Sequence, residues 1–377
     1  MKKIVVFLLS LSIALCLPLS HTASAENIAK AEILLEASTG QILTSSNADR
    51  RLPMASVTKI MCLLLWAEMI EDGRLALDDT VKVTSAVQDT EGSVIWLVPG
   101  EEMSAAELLE AVIISSANDA CIALAEHTAG SEAQFVKLMN KRAKELGLTN
   151  THYTNCVGFD ENAHYSSAYD TAVLTAELMK HEVYRGWFLT WLDYLRGGET
   201  QLVNTNKMIQ WYDGILGGKT GTTDNAGCCL TVCAEKNGMR MIAVVLGCAD
   251  DDSRFSRAEE LLDHGFDSYE RFTPEIDNSR LLPIPVEKGT ASSVQPIVLD
   301  GGAECIIRKG RAADVQYEYT FVESLEAPVK QGQFLGEYLV IVDGTAVHRS
   351  EIVAKNDIEH ISFWYCLLDV LAQLISF

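Results

Sequence analysis

The chain is poor in basic residues. Lys and Arg number 30 against 52 Asp and Glu, which gives a formal net charge of −22 over 377 residues. A protein this acidic repels nucleic acid and anionic lipid headgroups, so a nucleic-acid partner is excluded. The charge fits either a small or cationic partner or a surface that only keeps the protein soluble, and charge alone does not separate the two.

Long apolar runs are also scarce, and the run near the start of the chain has the layout of an export signal. Lys2 and Lys3 precede an apolar stretch from Ile4 to Leu17, and Ala23-Ser24-Ala25 follows as a small-residue cleavage site. We therefore expect residues 1–25 to be a signal peptide and the mature protein to be exported.

Signals for a metal site or a disulfide framework are missing as well. The chain has ten cysteines without a C-x-x-C spacing. Three histidines lack partners at metal-ligand spacing: His127, His152 and His164. We expect these histidines to be structural and the protein to use no metal and no cofactor. Several cysteines lie in apolar runs, where a free thiol behaves as a small core residue: Cys62, Cys121, Cys229 and Cys233.

What the chain does contain is enough apolar sequence for two domains, with 48% hydrophobic residues. Residues 26–272 alternate strand-like and helical segments. A hairpin opens this region between Ala31 and Thr44, and a second follows from Cys228 to Gly247 around an Asn-Gly turn. Between and after them the pattern predicts helices: Ile60–Ile70, Ala105–Ile114, Asp119–Thr128, Gln134–Leu146 and Leu261–Tyr269. This order indicates an α/β domain with a helical lobe beside an antiparallel sheet.

The remaining sequence has a different texture. Residues 273–355 consist of short alternating segments with hairpin punctuation, which predict a C-terminal all-β domain. Residues 356–377 carry one narrow polar stripe, including Asp369, on an otherwise apolar helical pattern from Ile358 onward. We expect this tail to be an amphipathic anchor in a membrane surface, with docking on the protein or a partner as the alternative.

Three short motifs occur in a fixed order along residues 26–272. They are Ser56-Val57-Thr58-Lys59, Ser116-Ala117-Asn118 and Lys219-Thr220-Gly221. Each is weak alone, because Ser45-Ser46-Asn47 and Lys236-Asn237-Gly238 fit the last two patterns equally well. The order of the three motifs, with a helical block between the first two and a strand under the third, predicts a serine acyl-transfer site.

The first motif pairs a nucleophile with a base. Residues three apart on a helix share a face, so Ser56 and Lys59 are expected within hydrogen-bonding range. Serine needs a neighbouring base, and a lysine can serve if burial and a second cation, Lys219, lower its pKa. We expect Lys59 to be substantially neutral in the free enzyme. An exposed helical Ser and Lys is the alternative for this motif in isolation.

The second motif offers a proton relay. The Ser116 hydroxyl can pass protons between Lys59, Lys219 and a leaving group, and the Asn118 amide can hold a substrate backbone or Lys59 itself. The alternative is that Ser116 caps the following helix.

The third motif suits an anionic substrate laid along a strand. Lys219 supplies positive charge, Thr220 a hydroxyl, and Gly221 permits close approach of the substrate backbone. The backbone N–H groups of Ser56 and Thr222 are the expected oxyanion hole.

With these motifs the chain resembles the low-molecular-mass penicillin-binding proteins, the serine-type D-alanyl-D-alanine carboxypeptidases of peptidase family S11. The resemblance runs from about Ala31 to about Ala354 and includes Asn204-Thr205-Asn206 and the run from Arg254 to Phe266. It implies a β-lactamase/penicillin-binding-protein-like transpeptidase fold, an antiparallel sheet with a helical lobe, followed by a C-terminal β-sandwich and a terminal amphipathic anchor.

The resemblance also implies roles. Ser56 would be the acylated nucleophile, Lys59 its base, Ser116 a proton relay and Lys219 the carboxylate binder. The implied reaction removes the terminal D-alanine from peptidoglycan pentapeptide stems through an acyl-enzyme, at the outer face of the cytoplasmic membrane or in the cell wall. β-Lactams would acylate Ser56 as covalent inhibitors. Two residues depart from the family pattern: Thr222 follows the third motif, and Tyr169 precedes Asp170 where a basic residue is common.

Two alternatives remain at this stage. A β-lactamase shares the fold, but the Glu-x-x-x-Asn spacing that class A enzymes use does not occur between Asn118 and Asp170. A non-enzymatic peptidoglycan-binding scaffold would keep the fold without turnover, and the intact motifs disfavour it.

Overall fold

The computed structural model describes residues 28–299, 304–342 and 344–362. The expected signal peptide, residues 1–25, lies outside these ranges. Residues 363–377 of the expected anchor also lie outside them. Within them, no helix combines the length and the apolar character that crossing a bilayer requires. The predicted helix does not begin at Ile358, because Ile358 pairs with Val329 and His360 with Gly289 in isolated β-bridges.

A five-stranded antiparallel sheet organises the first part of the described chain. The strands up to residue 272 are β1 (Ala31–Glu36), β2 (Ile42–Ser46), β3 (Thr80–Lys82), β4 (Glu102–Ser104), β5 (Leu192–Leu195), β6 (Thr200–Val203), β7 (Ile215–Thr223), β8 (Gly227–Lys236), β9 (Met239–Cys248) and β10 (Tyr269–Phe272). The main sheet has the spatial order β2-β1-β9-β8-β7, and β3 with β4 and β5 with β6 form separate ribbons. Asn237 and Gly238, both at positive φ, make the predicted turn between β8 and β9.

Helices cover both faces of the main sheet. They are α1 (Lys59–Glu71), α2 (Ala105–Ile114), α3 (Asn118–Ala129), α4 (Glu132–Glu145), α5 (Ala168–Leu178), α6 (Arg185–Leu189) and α7 (Asp251–Ser268). Alternate residues of β9 take opposite sides, since Ile242 and Val244 pack in the core with α1 to α5 while Met241 and Ala243 pack in the core with α7. Burial on both faces explains why Met241 to Leu246 of β9 are apolar at every position, and Cys228 to Ala234 of β8 at every position except Thr231.

Helix α1 is enclosed by protein, as its apolar pattern predicts. The side chains from Ile60 to Leu64 and that of Trp66 are fully buried, and the Trp66 ring stacks on Phe135 with centroids 5.1 Å apart. The residue at the amino end of α1, Lys59, is likewise fully buried.

The C-terminal part is all-β, as predicted, and has its own core. Its strands are β11 (Ile284–Glu287), β12 (Ser293–Val294), β13 (Pro296–Val298), β14 (Cys305–Arg308), β15 (Gln316–Phe321), β16 (Leu325–Glu326), β17 (Phe334–Val342) and β18 (Thr345–Ala354). They form sheets in the orders β13-β18-β17-β15 and β12-β11-β16, while β14 pairs with β10. The Gln41 side chain also exchanges hydrogen bonds with the Ile306 backbone, so β14 ties the two parts together.

The cysteines of the described chain are buried free thiols, which agrees with a role as core residues: Cys62, Cys121, Cys156, Cys228, Cys229, Cys233, Cys248 and Cys305. Among the residues that the structure describes, no group of three or more His, Cys, Asp or Glu side chains is arranged to hold a metal ion.

Candidate active site

Ser56 lies in a tight turn at the amino end of α1. Residues Ala55–Thr58, called here the Ser56 turn, form a 3₁₀ segment, and α1 itself begins at Lys59 rather than at Ser56. Ala55 adopts φ +50°, a strained conformation for a residue with a Cβ. The turn nevertheless brings the two side chains together, since Lys59 Nζ lies 2.9 Å from Ser56 Oγ.

The partners of Lys59 leave one position on its nitrogen for the serine. Nζ lies 2.7 Å from Asn118 Oδ1 and 2.9 Å from the Val157 carbonyl oxygen. The Asn118 amide is oriented by Glu91, because its Nδ2 donates to the Glu91 carbonyl over 2.7 Å and Oδ1 must then face Lys59. A neutral amine gives its two N–H groups to these two acceptors. Its lone pair is then left for the Ser56 hydroxyl.

Burial favours that neutral form. Lys59 is 0% exposed, and desolvation lowers its pKa. Lys219 is equally buried, and its pKa lies well below the usual range because of desolvation first and then the positive charges of Lys59 and Arg254. The positive charge of Lys59 thus lowers the pKa of Lys219, whereas desolvation lowers the pKa of Lys59 without the contribution from Lys219 that the sequence pattern predicts.

Ser116 sits between α2 and α3 in a strained backbone conformation. Its φ is +64°, and its hydroxyl oxygen is buried without a hydrogen-bond partner among the described residues. The helix-cap alternative for Ser116 is wrong, since α3 begins at Asn118, Ala117 occupies the N-cap position and no side chain caps the helix. A strained, unpartnered hydroxyl beside Asn118 is the kind of feature found at functional sites.

Strand β7 brings the third motif against the Ser56 turn. A Cβ added to Gly221 would lie 2.7 Å from the Ser56 nitrogen and 2.8 Å from the Met54 carbonyl oxygen, so only glycine fits this approach. The Lys219 side chain is buried, and its Nζ donates to the Thr220 carbonyl over 3.0 Å. The Thr220 hydroxyl donates to the Thr205 hydroxyl over 2.7 Å.

Arg254 is a site residue to which the motif reasoning assigned no role. Its Nη1 donates to the Gly221 carbonyl over 3.2 Å and to the Thr222 hydroxyl over 3.0 Å, and its Nη2 pairs with Asp251. Arg254 comes from α7, on the opposite face of the sheet from α1. The run from Arg254 to Phe266 is part of the family resemblance, but the contact of Arg254 with Gly221 and Thr222 depends on tertiary packing, which the local sequence does not show.

The flanking loop, residues 154–166, supplies two further groups. The Val157 carbonyl accepts from Lys59, and its oxygen also lies 3.3 Å from Ser56 Oγ, which can donate to it only while the hydroxyl hydrogen is not directed at Lys59. Asn155 Oδ1 accepts from the backbone N–H groups of residues 157 to 159 and holds that carbonyl in place. A backbone oxygen leaves no mark in the sequence, so Val157 could not have been found from the side-chain pattern.

These residues line one open cleft of about 620 Å³. Its walls include Ser56, Ser116, Asn118, Thr220, Gly221, Thr222 and Arg254. The structure therefore brings the predicted residues together, with Lys59 and Lys219 buried beneath the cleft surface rather than lining it. Such a cleft has room for an extended peptide end beside the hydroxyl of Ser56.

Comparison with known proteins gives matches along most of the chain, all to one kind of protein. The family model described as D-alanyl-D-alanine carboxypeptidase matches residues 19–250, and a model of the C-terminal domain of penicillin-binding protein 5 matches residues 269–360. D-alanyl-D-alanine carboxypeptidase DacF of Bacillus subtilis is 38% identical over 91% of this chain and 89% of its own length.

Solved structures give the same result. Penicillin-binding protein 5 of Haemophilus influenzae superposes with a TM-score of 0.79 at 29% identity, covering 88% of this chain and 98% of that one. Penicillin-binding protein D2 of Listeria monocytogenes, in its cefotaxime-bound form, gives a TM-score of 0.59 at 29% identity over 63% of this chain and 97% of that one. The chain belongs to the D-alanyl-D-alanine carboxypeptidase family of serine hydrolases.

Proposed function

We propose that the protein removes the terminal D-alanine from peptidoglycan pentapeptide stems through an acyl-enzyme on Ser56. The observation that carries the proposal is the environment of Lys59. Its Nζ faces two groups that can only accept, Asn118 Oδ1 and the Val157 carbonyl, and one hydroxyl, that of Ser56. A buried amine so arranged takes the serine proton as the hydroxyl attacks a carbonyl carbon.

Ser116 returns the proton to the leaving group. Its hydroxyl lines the cleft, and burial without a partner leaves it free to accept from Lys59 and donate to the departing amine. The carbonyl oxygen of the substrate accepts hydrogen bonds from the backbone N–H groups of Ser56 and Thr222. These groups lie where β7 passes against the Ser56 turn. Attack forms the Ser56 ester and releases D-alanine, and water then hydrolyses the ester to free the shortened stem.

The carboxylate of the terminal D-alanine binds at the β7 end of the cleft. Arg254 reaches Thr222 there, and Thr220 offers a second hydroxyl. Lys219 is buried behind them with a lowered pKa, and a bound carboxylate favours its protonated form and so brings its positive charge to the site. Arg254 thereby shares the carboxylate-binding role that the resemblance gave to Lys219 alone.

β-Lactams acylate the same serine in this proposal. The cefotaxime-bound structure of the Listeria relative shows a β-lactam on a chain of this fold. We propose export by residues 1–25 and surface anchoring by the tail, so that the cleft meets peptidoglycan outside the cytoplasmic membrane.

The test is release of D-alanine from diacetyl-Lys-D-Ala-D-Ala. Ser56→Ala is expected to lower the rate by about 10⁴-fold or more, because the nucleophile is lost. Ser45→Ala, in the similar but distant Ser45-Ser46-Asn47 sequence, is the matched control and should keep the wild-type rate. Rapid hydrolysis of penicillin by the wild-type protein would favour a β-lactamase, and absence of both D-alanine release and penicillin labelling would favour a scaffold.

A further inference from the structure

His164, expected from sequence to be structural only, touches the Ser56 turn. Its side chain is 3% exposed, and Nε2 lies 2.7 Å from the hydroxyl oxygen of Thr58. Thr58 is the last residue of the turn, between the nucleophile Ser56 and its base Lys59. A histidine from the flanking loop therefore contacts the segment that sets the distance between those two side chains.

The other ring nitrogen fixes which tautomer is present. Nδ1 lies 3.1 Å from the Thr154 backbone N–H. A backbone N–H can only donate, so Nδ1 must be unprotonated and the neutral ring carries its hydrogen on Nε2. That hydrogen is donated to the Thr58 hydroxyl. Burial, the main influence on the ring, lowers the pKa of His164 to about 4, which keeps it neutral near pH 7.

The turn needs such support because its backbone is strained. Ala55 has φ +50°, and Gly158 of the flanking loop approaches so closely that an added Cβ would lie 1.9 Å from the Ala55 carbonyl oxygen. The flanking loop thus holds the Ser56 turn at one end through Gly158 and the Val157 carbonyl, and at the other end through His164.

We propose that His164 is a positioning residue for acyl transfer, which donates from Nε2 to Thr58 and thereby holds Ser56 and Lys59 at their working distance. This inference rests on the proposed function of Ser56. His164 touches neither the substrate nor the reacting atoms: it acts through Thr58, and its Nδ1 anchors the ring by accepting from the Thr154 backbone N–H.

The experiment separates acylation from binding. Stopped-flow kinetics with a fluorescent penicillin gives the dissociation constant of the initial complex and the rate constant of acylation. His164→Phe keeps a ring but loses both the Nε2 donor to Thr58 and the Nδ1 acceptor of the Thr154 N–H, and should lower the acylation rate constant about 10- to 100-fold with the dissociation constant unchanged. His164→Gln places an amide N–H near the position of Nε2 and should recover most of that loss.

The matched control is His152→Phe. His152 is an exposed histidine just before the flanking loop, where its Nδ1 contacts the Ala163 carbonyl oxygen and its ring tilts against Tyr165. The His152→Phe variant is expected to be acylated at the wild-type rate. Because His164 acts through Thr58, Thr58→Val should lose the same factor as His164→Phe, and the double variant should lose no more than either one.

Several results would overturn the inference. They are a wild-type acylation rate in His164→Phe, losses that multiply in the double variant, or ¹⁵N NMR of His164 showing a protonated Nδ1 at pH 7. Should His164→Phe fail to fold, Thr58→Val and His164→Gln decide, and a wild-type rate in Thr58→Val refutes the role. A wild-type protein that penicillin does not acylate would refute the proposed function instead, so the two failures are distinguishable.

Discussion

Replacing Asn118 by aspartate would place a negative charge where the structure has a neutral oxygen 2.7 Å from Lys59 Nζ. Two unit charges at that distance attract by about 1.5 kcal/mol in water-like surroundings and by about 6 kcal/mol at an effective dielectric constant of about 20. The attraction favours the ammonium, so it raises the pKa of Lys59 and removes the neutral base. Even the smaller figure costs about tenfold in the neutral fraction of Lys59 at a fixed pH.

The assay is the pH dependence of the acylation rate constant for a fluorescent penicillin. Asn118→Asp should acylate at least about tenfold more slowly near pH 7 than Asn118→Leu, and its profile should move to higher pH. The leucine variant is the matched control, because it loses the same hydrogen bonds to Lys59 and Glu91 without adding charge. Superimposable profiles for the two variants would refute the reasoning that a neutral Lys59 activates Ser56.

Two further predictions concern other charged groups. Arg254→Gln removes the cation beside Thr222. It should lower kcat/KM about 10- to 100-fold for peptides with a free terminal carboxylate, but much less for the corresponding terminal amides. Equal losses for both substrates would contradict carboxylate binding by Arg254. Burial and the nearby Asp193 raise the pKa of Glu110 to about 7, so the folded state holds this proton more tightly than the unfolded state does. The free energy of unfolding should therefore fall as pH rises from about 4.5 through 7. Urea denaturation midpoints should show this fall for the wild-type protein and a flatter dependence for Glu110→Gln. The same pH dependence in both proteins would show that Glu110 titrates normally.

The sequence predicted the elements whose signals are local. The Asn-Gly turn between β8 and β9, the all-round apolar pattern of α1 and the bounds of α2 all agree with the structure. In α2 the reason is visible, since Ser104 and Glu107 form a capping box that marks the first turn. The α/β fold with its C-terminal all-β part is likewise confirmed by the structural relatives.

Other elements depended on contacts that the local sequence does not encode. Helix α7 is an exception: it begins at Asp251, ten residues before the predicted start, and the local signal was present, because the N-cap Asp250 accepts from Ser253 N–H over 2.8 Å. The β5–β6 ribbon and α5 went unassigned, because short amphipathic segments acquire their structure from packing.

The same division holds within the cleft. The side-chain motifs predicted Ser56, Lys59 and Ser116 as site residues. The contacts of Arg254, the Val157 carbonyl and His164 with the site form only when segments distant in sequence come together.

The central claim is that Ser56 is the activated hydroxyl of the cleft, because among the described residues it is the hydroxyl that hydrogen-bonds to the buried Lys59 amine. Peptide mapping by mass spectrometry after brief exposure to benzylpenicillin tests it directly. The account predicts one penicilloyl adduct per molecule, carried by the peptide containing Ser56 and absent from both Ser56→Ala and heat-denatured protein. An adduct on Ser116 or Thr220, or an unmodified wild-type protein, would contradict it.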